Sequence, residues 1–145
     1  AMYQYSLIVA TKESTNEEVN QMKYYLMKGI NLKNNDLIFL YAYIIFNGYY
    51  FNEDKVKGAK YYKISADLGS IHGMKKYAEC LQYGSGVETN REESLKYYKM
   101  AADNDDIESM LNYANLLSEG EEGSFDEAEY YYYLIKAIDK GVGRI

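Results

Sequence analysis

The sequence predicts an all-α fold, an α-solenoid of four 36-residue helix–turn–helix repeats, and three observations carry that prediction. The 145-residue chain matches itself at a step of 36 without a gap. Inside each copy the apolar residues recur at helical spacing, and glycine or a short polar residue punctuates the same columns.

Overlaid at that step, Tyr5, Tyr41, Tyr77 and Tyr113 form one column, each followed by a small residue: Ser6, Ala42, Ala78 or Ala114. Tyr25, Tyr61, Tyr97 and Tyr133 form a second column. Met2, Ile38, Met74 and Met110 form a third, and Val9, Ile45, Leu81 and Leu117 a fourth. Residues 34–69 and 70–105 share nine identities in 36 positions. The copies run approximately over 1–33, 34–69, 70–105 and 106–141 and make one domain over 1–145.

Each element follows from its own residues. The first copy places Met2, Tyr5, Ser6 and Val9 on a first helix and Tyr25 and Leu26 on a second, with K-E-S-T (12–15) between them. In the second copy Ile38, Tyr41, Ala42 and Ile45 stand at i, i+3, i+4 and i+7, one face of a helix. Gly48 suits a left-handed helix end, Asp54 offers a capping oxygen, and Gly58, Tyr61, Tyr62 and Ser65 repeat the spacing before Gly69. The third copy has Met74 and Tyr77, then Gly84, Asn90, and Tyr97 beside Tyr98, with Asp105 in the column of Gly69. The fourth runs from Met110 and Tyr113 through Gly120 and Asp126 to Tyr133 and Leu134, with Gly141 expected to close its second helix. One such hairpin cannot bury its own apolar face, so neighbouring copies must stack.

G-S-G-V (84–87), a polar cap at Asn90 and S-L-K-Y-Y-K-M-A-A-D (94–103) resemble the Sel-one-like repeat, a relative of the tetratricopeptide repeat. The third copy matches best. The second has G-Y-Y-F (48–51), the fourth G-E-E-G (120–123), and the first lacks the glycine. The resemblance implies a right-handed superhelix whose first helices line a concave face that binds a protein or peptide segment. It implies a non-catalytic adaptor or scaffold, with no cofactor.

The rest of the chain narrows the function classes. A net charge of −6 and the absence of a basic stripe argue against nucleic acid as a partner. The longest apolar run, Leu37–Phe46, is too short to span a bilayer, and no stretch has the order of a signal peptide. A single cysteine, Cys80, fits a reducing compartment such as the cytosol and falls in a core column. His72 is expected in the turn before a helix, without the partners that catalysis or metal binding needs. The acidic stretches 103–108 and 119–123 lack the ligand order of a calcium loop, and G-S-G-V lacks the strand and lysine of a phosphate loop.

Function is therefore expected in the columns that vary on the first helices. Phe39, Leu40, Tyr43 and Phe46 put large apolar groups outside the repeat face in the second copy, either as an interface or as extra packing against the first. The expected contact residues are Phe39, Tyr43, Phe46, Lys75, Glu79 and Gln82, and the eight column tyrosines are the expected repeat core. Two alternatives stand beside peptide binding: the targeting or regulatory arm of a larger enzyme such as a kinase, and self-association through uncapped ends. The missing polar caps suggest a piece of a longer array.

Overall fold

Short polar side chains start these helices and left-handed residues stop most of them. The computed structural model describes residues 15–120 and 125–142. They form α1 (Asn16–Asn31), α2 (Asn35–Asn47), α3 (Lys55–Asp67), α4 (Ile71–Tyr83), α5 (Arg91–Asp103), α6 (Ile107–Ser118) and α7 (Glu127–Val142). Among the described residues there is no strand. Even-numbered helices are the first helices of copies two to four, and odd-numbered ones are the second helices of all four. The first helix expected around Met2 and Tyr5 lies outside the described residues.

The caps recur with the repeat. Asn34, Ser70 and Asp106 each accept a backbone N–H three residues on, at 3.0, 3.0 and 2.9 Å, and so open α2, α4 and α6. Asp54, Asn90 and Asp126 do the same for α3, α5 and α7 at 2.9, 3.0 and 3.2 Å. The helix α1 opens on Thr15, in a capping box with Glu18.

Between copies, Lys33, Gly69 and Asp105 share a column and a left-handed backbone, with φ of 54°, 104° and 70°. That conformation turns the next N–H back on the helix just ended. Asn34 donates to the Gly29 carbonyl at 2.9 Å, Ser70 to Ser65 at 2.9 Å and Asp106 to Ala101 at 3.2 Å. Gly141 occupies the same column but lies inside α7, not after it as its composition suggested, because there the i to i−4 ladder continues. Gly48 and Gly84 end α2 and α4 in the left-handed region, whereas α6 ends right-handed on Glu119. Arg91 compensates: its guanidinium donates to the Leu116 and Leu117 carbonyls at 2.9 and 3.2 Å.

Each first-column tyrosine meets its second-column partner edge to face within one copy. Centroids are 4.9 Å apart for Tyr41–Tyr61, 4.8 Å for Tyr77–Tyr97 and 4.9 Å for Tyr113–Tyr133. Tyr41, Tyr77, Tyr113, Tyr97 and Tyr133 are buried, while Tyr25 and Tyr61 are half-buried. One core cluster runs from Ala42 to Ala137, and a second, around Met22, Leu26, Leu37 and Ile44, joins α1 to α2. Tyr61 borders both clusters.

Hydrogen bonds cross the joints at the edge of the core. The Tyr97 hydroxyl donates to Asp67 at 2.8 Å, and one copy later Tyr133 donates to Asp103 at 2.7 Å. Burial pushes the Asp67 carboxyl up, but bonds from Lys63 and Tyr97 outweigh it and hold its pKa below the ordinary value. Lys99 and then Tyr113 hold Glu129 below its ordinary value in the same way. Burial, followed by the bond to Asp67, pushes the Tyr97 hydroxyl up to about 12.

The joints also match side-chain sizes. A Cβ on Gly29 would stand 2.5 Å from the Leu37 Cβ. One copy later the glycine is on the other helix: a Cβ on Gly73 would meet Ser65 Oγ and lie 2.8 Å from the Ala66 nitrogen. Gly73→Ala should therefore lower unfolding free energy in urea by about 1–3 kcal/mol, despite alanine's better helix propensity. Stability should also fall at both pH extremes. Asp67 and Glu129 have lowered folded pKa values, so their contribution is complete at neutral pH and lost as pH drops below about 4. Tyr97 has a raised one, so its contribution is present below about pH 10 and lost as pH rises through about 12. Urea midpoints measured across pH check both limbs.

Candidate functional site

Neighbouring first helices meet through side chains that vary between copies. Phe39 on α2 packs its ring 5.7 Å from Tyr62 and 5.5 Å from His72, and 6.3 Å from Tyr43 on its own helix. His72 lies in the first turn of α4, where Ser70 caps the helix, so it is helical and exposed rather than a turn residue. The Phe46 ring packs tilted against Tyr62 at 5.5 Å, and the Lys55 ammonium sits 4.4 Å from its centroid. For Leu40 the second of the two expectations holds, packing against the first copy. The residue is 3 % exposed in the cluster with Met22 and Leu26, because α1 covers that side of α2.

The polar candidates are already engaged. Lys75 is 3.2 Å from Glu108 and 3.8 Å from Asp106 across the next joint. Glu79 pairs with Lys76 at 3.4 Å on its own helix. Gln82 accepts the Tyr98 hydroxyl at 2.8 Å, which leaves its side-chain NH2 group to donate elsewhere.

Two grooves open along this face. One, of about 270 Å³, is walled by Tyr43, Phe46, Asn47, Lys76, Glu79, Cys80 and Tyr83 among others. The other, of about 240 Å³, is walled by Glu79, Gln82, Tyr83, Tyr98, Glu108, Asn112, Asn115 and Glu119. Glu79 and Tyr83 belong to both, so the grooves adjoin on either side of α4. The first is aromatic in character and the second is rich in amides and carboxylates. Of the residues singled out in the sequence, Tyr43, Phe46, Glu79 and Gln82 line these grooves, and Phe39 and Lys75 line neither.

Tyr83 was missed by sequence reasoning although it is 71 % exposed where the grooves meet. Its column reads Asn47, Tyr83 and Glu119, different in every copy, and that variation was the available signal. The arrangement offers surface for recognition. Burial pushes the Cys80 thiol up to about 11, so the sulfur is protonated and a poor nucleophile near neutral pH. No cluster of metal-ligating side chains occurs among the described residues, and no helix of theirs is long and apolar enough to cross a membrane.

Packing and contact residues should separate in one experiment. Phe39→Ala should cost about 2–4 kcal/mol of stability, since it strips a ring from Tyr62 and His72. Tyr83→Ala should change stability by less than about 0.5 kcal/mol. Urea unfolding of the two variants is the measurement.

The three complete helix pairs coincide with matches to the Sel1 repeat model, over residues 36–70, 71–106 and 107–142. No curated protein matches the chain. Among solved structures, a Sel1 repeat protein from Oxalobacter formigenes superposes with a TM-score of 0.79 at 16% identity, covering 97% of this chain and 57% of its own. The protective antigen c5321 of uropathogenic Escherichia coli strains, which displays an SLR fold, gives 0.77 at 18% identity over 83% of this chain and 26% of that one. Cysteine rich protein B of Helicobacter pylori gives 0.65 at 20% identity, with 75% and 84% covered. The chain thus spans little more than half of the first of these proteins and about a quarter of the second. With its repeats matched one after another along three helix pairs, the chain belongs to the Sel1 repeat family.

Proposed function

We propose that this chain is a non-catalytic protein-binding module that takes an extended peptide segment along the face formed by its first helices. Sel1 repeats are in general protein-interaction modules, which supports the class of function. The observation that carries the site is the pair of grooves sharing Glu79 and Tyr83. An apolar or aromatic side chain of the ligand enters between Tyr43 and Phe46. Basic side chains of the ligand follow toward Glu119, and toward Glu79 and Glu108 in competition with their partners Lys76 and Lys75. Asn112 and Asn115 offer amides to the ligand backbone between them. A groove on packed helices is formed before the ligand arrives, so binding orders the peptide alone.

Selection of displayed peptides against the chain should enrich an aromatic residue followed by Lys or Arg. Replacing Tyr43 and Tyr83 together by alanine should weaken a selected peptide at least about tenfold, the scale of lost aromatic anchors, with the helical CD spectrum unchanged. A selected peptide that binds this double variant as tightly as the original chain would place the site elsewhere.

A further inference from the structure

The three joints between second helices share one set of columns, and the first joint inverts it. In the last joint the Lys99 ammonium lies 2.9 Å from Glu129 Oε1, and the Tyr113 hydroxyl donates to the same oxygen at 2.7 Å. The middle joint has the same residue types in register, Lys63, Glu93 and Tyr77, with Lys63 turned to Asp67 at 2.8 Å. In the first joint these columns hold Met27, Lys57 and Tyr41. A cation stands where the carboxylate stood, and a thioether where the cation stood.

An open cleft of about 390 Å³ lies there between α1, α2, α3 and the loop before α3. Lys57 approaches the Tyr41 ring at 5.8 Å, and the nearby Tyr41 side chain holds the pKa of the lysine above its ordinary value. A second cation, Lys23, lies 4.9 Å from the Phe51 ring on the opposite wall. Neither lysine has a carboxylate partner among the described residues. Asp54, the acid on the wall, is occupied in capping the Lys57 N–H at 2.9 Å. Met27, 41 % exposed, and Phe51 supply apolar surface beside the two cations.

We propose that this cleft binds a carboxylate carried beside an apolar side chain, the α-carboxylate of an acylated amino acid or of a peptide ending in an apolar residue. The Lys57 ammonium stands where Glu129 stands in the last joint, and the ligand carboxylate lies against it from the cleft, with Lys23 as a second counter-charge. The apolar side chain lies on Met27 and Phe51. Inorganic phosphate would satisfy the cations but leave that wall wet, so the apolar group is part of the recognition. This site uses none of the residues of the first-helix grooves and does not rest on the reading given for them.

The probe is N-acetylphenylalanine, titrated into the whole chain and followed by NMR, with N-acetylphenylalanine amide as the uncharged comparison. The acid should bind with a dissociation constant on the order of millimolar, as fits a small ligand, and shift resonances around Tyr41, Met27 and Lys57. The amide should bind at least about tenfold more weakly. Lys57→Met, which keeps the length of the side chain without its charge, should abolish the difference between acid and amide. Met27→Lys with Lys57→Glu rebuilds the closed joint and should abolish binding while raising the melting temperature, which shows that the fold is intact. Equal affinity for acid and amide, shifts confined to the first-helix face, or undiminished acid binding by Lys57→Met would each overturn the proposal.

Discussion

A two-helix hairpin of this length has an apolar face on each side and can cover only one of them itself. Everything in the molecule therefore depends on the joint where the second helix of one copy receives the first helix of the next. That joint demands close backbone approach, which the chain meets with complementary sizes: glycine against leucine at Gly29 and Leu37, serine against glycine at Ser65 and Gly73. It also demands a sharp reversal of the chain, met by Lys33, Gly69 and Asp105 in one left-handed column. Two of these three residues carry a Cβ, at a cost of about 1–2 kcal/mol each, so the reversal matters more than the residue that makes it.

Tyrosine serves the joint because its ring and hydroxyl do different things. The ring fills the space between helices edge to face, and the hydroxyl reaches a carboxylate at the margin of the core. The lysines that flank these tyrosines share in the same margin. Lys63 and Lys99 hold Asp67 and Glu129, so partly exposed lysines carry part of the electrostatic closure of the stack. Where this closure is absent, at Lys57, the same architecture leaves a cleft in place of a seal.

The periodic part of the structure was legible before any coordinates. Tyr77, Tyr97, Ala78 and Leu81 are buried as their columns predict, and Asp54, Asn90 and Asp126 cap the helices on which they fall. Departures came where one copy meets a neighbour unlike itself. The columnmates of Leu40, Lys76 and Asn112, left interface and extra packing equally open, and the cover by α1 decides for packing. Tyr61 is less buried than Tyr97 in the same column, and it borders the cluster that α1 makes with α2 as well as the main core. His72 entered its helix early because Ser70, unremarked as a cap, opens α4 before it.

The sequence by itself determined the repeat, its helical phase and the sides of each helix that face the stack. Covalent spacing sets the angle between residues on one helix, and the apolar residues mark which angle is inward. Only the tertiary structure decided which outward side chains meet. Tyr43 and Tyr83 lie forty positions apart and share a groove, and Lys23 and Lys57 come together across two helices. Such meetings depend on how closely helices approach, which is set by pairs of opposing side chains such as Ser65 and Gly73 and not by any one column. The periodicity specifies a surface in outline, and the packing at each joint decides what that surface can hold.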